Sequence, residues 1–134
     1  MDIRELKELV KNMRLLYVED NKDLSRANMQ LFEDIFMHVD LAEDGQSGFK
    51  LYQEKDYDLV ITDINMPKMN GLVMLKNMRE IKHNQVAIVV SAFSEIEYLA
   101  SMQELKIDHF LTKPINSKHM IEAIYKSIKD LEVA

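Results

Sequence analysis

Three carboxylates in this chain close short apolar runs. Glu19 and Asp20 follow Leu15-Leu16-Tyr17-Val18, and Asp63 follows Leu59-Val60-Ile61-Thr62. Ser91 closes Val86-Ala87-Ile88-Val89-Val90, and Lys113 closes His109-Phe110-Leu111-Thr112. If those runs are neighbouring strands, three acids, a hydroxyl and an ammonium meet at one sheet edge. Like charges at such a spacing raise one another's pKa, so acids grouped this way share a cation. An all-oxygen donor set without Cys or His suits Mg²⁺, which takes one or two carboxylates and keeps several waters. A partly hydrated Mg²⁺ beside an ammonium and a hydroxyl is a pocket for a phosphoryl group, whose transfer depends mostly on positioning and charge neutralisation. Asp63, at the end of the central run, is the candidate nucleophile, because a carboxylate can attack phosphorus and form an acyl phosphate.

Each residue also has an ordinary explanation. Glu19 and Asp20 suit the start of a helix, where the dipole favours negative charge. Asp63 could be a turn acid before Pro67, but its place after an apolar run argues against that. Ser is common after strands. Phe110, an aromatic on a strand, is a core residue by default. His38, His83, His109 and His119 share no metal-ligand spacing, the ten Met residues fill gaps, and Lys118, His119, Lys126 and Lys129 read as a solvated helix face.

The elements that must position these groups alternate regularly. Short apolar runs at residues 15–18, 38–42, 58–62, 86–90 and 109–112 read as strands. Between them, apolar residues recur at helical spacing: Leu24, Ala27, Leu31, Phe32 and Ile35; then Phe49 and Tyr52; then Leu72, Leu75, Met78 and Ile81. Ser94-Glu95-Ile96-Glu97 has the capping-box pattern for a fourth helix that runs to about Leu105. Asn116 caps a last one carrying Ile121, Ile124, Tyr125, Ile128 and Leu131, with Ile115 and Met120 as its hydrophobic staple. Strand and helix repeated five times is the pattern of a parallel α/β sheet, and the most apolar runs suit strands covered on both faces. Residues 2–12 carry Ile3, Leu6, Leu9, Val10 and Met13 at helical spacing, which predicts a short helix ahead of the domain, read first as a partly frayed end and alternatively as a partner-binding helix.

The 134 residues allow one domain and one core, 47% of them hydrophobic. The chain has no cysteine, so disulfides, thiolate zinc sites and iron–sulfur clusters are excluded. No apolar run is long enough to span a bilayer and the first residues lack a signal-peptide pattern, which reads as cytoplasmic, with no membrane partner. A net charge of −6 argues against direct nucleic-acid binding by this domain.

Tyr17-Val18-Glu19-Asp20-Asn21, the run from Leu59 to Gly71 with Asp63-Ile64-Asn65-Met66-Pro67 inside it, Ser91-Ala92 and Lys113-Pro114 together resemble the receiver domain of two-component response regulators. The resemblance covers the chain from about Met13 to Leu131 and implies a receiver domain over 13–131, an extension over 1–12 and a tail over 132–134. It implies a flavodoxin-like, doubly wound five-stranded parallel sheet of order 2-1-3-4-5, with five helices plus the short N-terminal one. By the same resemblance, Asp63 accepts a phosphoryl group from a phosphohistidine of a sensor histidine kinase or phosphotransfer protein. Asp20, Asp63 and the Asn65 backbone carbonyl bind Mg²⁺, with Glu19 acting through water. Lys113 pairs with Asp63 and then with the phosphoryl oxygens, Ser91 hydrogen-bonds the phosphoryl group, and Phe110 follows inward as an aromatic switch. Pro114 forms a cis peptide with Lys113.

Two positions depart from the commoner pattern: Phe110 has no hydroxyl where many relatives carry Tyr, and Phe93 puts an aromatic at the rim, where it is expected to slow phosphoryl loss. The reader of the signal would contact parts of Ile96–Lys106, His109, Leu111 and Lys118–Glu122, and would be a separate downstream protein or a fused output domain. The implied class is a signalling switch, not an enzyme. Alternatives are a receiver cut from a longer hybrid kinase, DNA-binding or enzymatic regulator, and a Mg²⁺-dependent phosphohydrolase. A hydrolase of the haloacid-dehalogenase type needs a second Asp where this chain has Asn65. A flavin or nucleotide binder would need a Gly- or Ser/Thr-rich loop after the first strand, where this chain has acids.

Overall fold

The computed structural model describes residues 2–92, 97–107 and 109–133. Five strands, β1 (Arg14–Val18), β2 (His38–Ala42), β3 (Leu59–Asp63), β4 (Val86–Ser91) and β5 (His109–Thr112), form one parallel sheet of order β2-β1-β3-β4-β5. Among the described residues six α-helices accompany them: α1 (Ile3–Val10), α2 (Lys22–Ile35), α3 (Gly45–Glu54), α4 (Gly71–Ile81), α5 (Leu99–Glu104) and α6 (Ser117–Val133). This is the parallel α/β sheet that the alternating pattern predicts, in the flavodoxin-like order that the resemblance implies.

The period-two alternation of a strand divides the core into two layers. Leu15, Tyr17, Leu59, Ile61, Ile88 and Val90 face one side, where Phe32 and Ile35 of α2 and Met120, Ile124 and Ile128 of α6 cover them. Leu16, Val18, Val60, Ala87 and Val89 face the other, against Tyr52 of α3, Leu72, Leu75 and Met78 of α4 and Met102 of α5. Strand β3 is buried along its whole length, as a central parallel strand must be.

Several helix starts follow the local chemistry. Asn21, Asp44 and Asn70 each accept a backbone N–H with their side-chain oxygen at the beginning of α2, α3 and α4. Asn116 Oδ1 accepts from the N–H groups of Lys118 and His119 at the beginning of α6. The capping box expected at Ser94 lies outside the described residues.

Three expectations are corrected. Helix α1 is part of the core rather than frayed: Leu6 and Val10 are both 0% exposed and pack with Phe32, Ile35 and Phe36. Ile81, expected to face in, is exposed at the last residue of α4. Phe110 is 45% exposed, because β5 is an edge strand and the helix beyond it is short.

Candidate functional site

The parallel sheet directs the carboxyl ends of all five strands to one edge, and the crevice there is where open α/β sheets place their ligands. Asp63 is the last residue of β3, one position later than the apolar run alone suggests. Its main chain is held from both sides. The Thr62 hydroxyl donates to the Asp63 carbonyl at 2.8 Å, and the Gly71 N–H donates to the Ile64 carbonyl at 2.8 Å. Gly71 has no Cβ for a physical reason: one placed there would lie 1.9 Å from the Asp63 carbonyl oxygen. The loop between β3 and α4 is also pressed from outside, since a Cβ on Gly45 would lie 2.1 Å from the Met69 carbonyl oxygen. Lys68, at the tip of this loop, takes a left-handed φ of 71° and its ammonium lies 3.7 Å from Asp44.

With its backbone clamped, the Asp63 side chain has little freedom. Oδ1 accepts from the Ile64 N–H at 2.8 Å and Oδ2 accepts from the Lys113 ammonium at 2.7 Å. Lys113 follows β5, and its N–H donates to the Ser91 carbonyl at 2.8 Å, which extends the β4–β5 pairing and aims the side chain back across the edge. The Lys113–Pro114 peptide bond is cis. The same ammonium lies 3.5 Å from Glu19 Oε1, while Glu19 Oε2 accepts from the Asn21 N–H at 3.1 Å.

Glu19, Asp20 and Asp63 each place a carboxylate oxygen within 4.8 Å of the others. Glu19 and Asp63 are buried and Asp20 is exposed. Burial raises the Glu19 pKa to about 7; the Asp63 charge adds to this, while the Asn21 N–H and the Lys113 ammonium oppose it. Burial works against the Lys113 ammonium, but the hydrogen bond and charge of Asp63, with Glu19 behind it, raise its pKa. Two buried acids and one exposed acid therefore share a single ammonium, which leaves an excess of negative charge. The donor set is all oxygen and opens to solvent at Asp20, so these residues fit a hard divalent cation such as Mg²⁺ that keeps part of its water shell.

Ser91 is buried at the end of β4, one residue beyond Val90, the partner of Asp63 in the neighbouring strand. Phe110 pairs with Val89 on the edge strand and points outward. Phe93 lies outside the described residues. Sequence reasoning missed Tyr98, whose hydroxyl donates to Asn65 Oδ1 at 3.3 Å. No pattern in the chain announces this contact, because it joins two loops that meet only when β3 and β4 pair. Among the described residues no helix is long and apolar enough to cross a membrane.

Comparison with known proteins agrees with this fold. The family model for the response regulator receiver domain matches residues 15–125. The chemotaxis protein CheY-3 of Vibrio cholerae is 31% identical over 127 residues, which cover 92% of this chain and 97% of that protein. The transcriptional regulatory protein DltR of Streptococcus agalactiae is 37% identical over 112 residues, 84% of this chain. This chain spans about half the length of DltR: the match covers 50% of it. The solved N-terminal domain of a Wolinella succinogenes protein superposes with a TM-score of 0.82 at 33% identity, covering 90% of this chain and 97% of that one. A receiver domain from Clostridium thermocellum shares the fold at a TM-score of 0.83 and 22% identity. With the match running from β1 into α6, the chain belongs to the response regulator receiver family of two-component signal transduction.

Proposed function

We propose that this chain is a phosphorylation-controlled switch in which Asp63 takes a phosphoryl group from a phosphohistidine of a sensor histidine kinase or phosphotransfer protein. The observation that carries this reading is the clamped Asp63 carboxylate, 2.7 Å from Lys113 and within 4.8 Å of Glu19 and Asp20. An oxygen of Asp63 attacks phosphorus, the phosphorus–nitrogen bond to the donor imidazole breaks, and the imidazole leaves with the bonding pair and takes a proton. Asp20, Asp63 and the Asn65 backbone carbonyl would hold Mg²⁺, with Glu19 acting through water. Bound there, the ion neutralises charge on the phosphoryl oxygens as it is transferred.

Lys113 gives up its bond to Asp63 and follows the charge to a phosphoryl oxygen. Ser91 donates its hydroxyl to the same group, and Phe110 moves from its exposed position toward the space that Ser91 vacates. Phosphorylation thereby shifts the populations of two arrangements of the face built from α5, β5 and α6. The exposed Leu99 and Phe110 on that face are apolar groups a partner can cover in one arrangement and not the other. The partner is a separate protein or a fused output domain; DltR and CusR, both named transcriptional regulatory proteins, extend well beyond the part that this chain matches.

Incubation with Mg²⁺ and acetyl phosphate tests the reading. The switch predicts uptake of one phosphoryl group per chain, stable in acid and labile in alkali, and none in Asp63→Asn. Repeated turnover of an unrelated phosphoester would instead identify a phosphohydrolase.

A further inference from the structure

The carboxyl edge carries a polar contact that the chemistry above leaves unused, the 3.3 Å bond from the Tyr98 hydroxyl to Asn65 Oδ1. Asn65 lies in the loop after β3, just past Asp63, and Tyr98 stands at the start of α5. Strands β3 and β4 are neighbours, so this bond crosses the crevice between the loops that follow them.

Helix α5 needs such a contact. It has six residues, too few to be stable alone, and its N-cap position is filled by Tyr98 without any side-chain capping bond. Its start is held instead by tertiary contacts: Tyr98 packs against the buried layer under α4 and α5, and its hydroxyl reaches Asn65. The distance is longer than the usual range for a hydroxyl donor, which makes the bond a weak one that opens at little cost.

We propose that Tyr98 is a positioning residue of the phosphorylation site: its hydroxyl orients the Asn65 carboxamide across the crevice, and so ties the lifetime of the acyl phosphate to the placement of α5. This rests on the phosphoacceptor reading above. With Oδ1 engaged, the Asn65 amide N–H groups are what that side chain offers to a phosphoryl oxygen or to the water that attacks it. When the bond opens, the carboxamide loses its orientation and water approaches phosphorus more freely. A partner that holds α5 against the loop therefore keeps the carboxamide in place and extends the phosphorylated state, and one that draws α5 away shortens it.

The test is the decay of the acyl phosphate after the donor is removed, in Mg²⁺, for wild type, Tyr98→Phe, Asn65→Ala and the double variant. Tyr98→Phe keeps the ring and its packing, and is expected to lose phosphoryl about twofold faster, the low end for one hydrogen bond. In the Asn65→Ala background the same change is expected to do nothing more, which a merely structural role of Tyr98 would not produce. Decay in Tyr98→Phe that is unchanged or slower, or an equal acceleration in both backgrounds, overturns the proposal. No adduct on wild type would instead remove the phosphoacceptor reading, and the proposal with it.

Discussion

Lys113 stands 2.7 Å from Asp63 and 3.5 Å from Glu19, so two buried acids share one ammonium. Removing it leaves both acids without a counter-charge, and the natural replacement is a divalent cation. Lys113→Met is expected to lose roughly 2 kcal/mol without metal, below the range for a fully buried pair, because the lysine side chain keeps 23% of its exposure. Millimolar Mg²⁺ should restore most of that loss and raise the melting temperature of the variant more than that of the wild type. Thermal melts of both proteins with and without Mg²⁺ check this, and equal responses would contradict it.

Gly71 offers a test in which two physical effects have opposite signs. Alanine is the better helix former by about 1 kcal/mol, so propensity alone predicts that Gly71→Ala stabilises α4. The clash of a Cβ with the Asp63 carbonyl, 1.9 Å away, predicts the reverse. Displacing that carbonyl also moves the proposed nucleophile, so the variant should be less stable in urea and should take up phosphoryl at least tenfold more slowly, as misplacing a reacting group does.

Helix α1 precedes the stretch that the family model matches, yet it behaves as part of the domain. Leu6 is wholly buried with Phe32, Ile35 and Phe36, so Leu6→Ala should cost about 3 kcal/mol in urea denaturation. A loss below about 1 kcal/mol would return α1 to the status of a frayed end.

Asp44 supplies an acid-dependent part of the stability. Its carboxylate accepts from the Ser47 N–H at 2.7 Å at the start of α3, and that bond, helped by Lys68, lowers its pKa. A folded pKa below the unfolded one means that the unfolded chain binds the proton more tightly. The contribution is therefore full above the unfolded pKa and is lost as pH falls through the folded one. Asp44→Asn keeps a capping oxygen without the charge, so its deficit against wild type should shrink as pH drops below about 4. A deficit independent of pH would contradict this.

The residues that were legible in the sequence are those whose position depends on one strand. Asp63 could be placed because Leu59 to Thr62 are apolar without interruption and the chain must turn at Pro67. Lys113, Glu19 and Asp20 follow from the strands being parallel, since parallel strands deliver their ends to the same edge. Phe110 reads as core in the sequence but is exposed in the fold, because burial of an edge-strand residue depends on the helix beyond it, and α5 is short. Tyr98 was invisible for a related reason: its contact with Asn65 depends on how two loops approach, and no periodicity records that. The burial of α1 likewise depends on α2 and α6 closing around it.

The central claim, that Asp63 carries the signal as an acyl phosphate, is tested most directly by borohydride reduction of the Mg²⁺- and acetyl phosphate-treated protein, followed by peptide mass spectrometry. Reduction converts an aspartyl phosphate into homoserine, so homoserine at position 63, dependent on Mg²⁺ and absent without the donor, is the expected result. Unmodified Asp63 in protein that has taken up phosphoryl, or homoserine at another acid such as Asp20, would contradict the account.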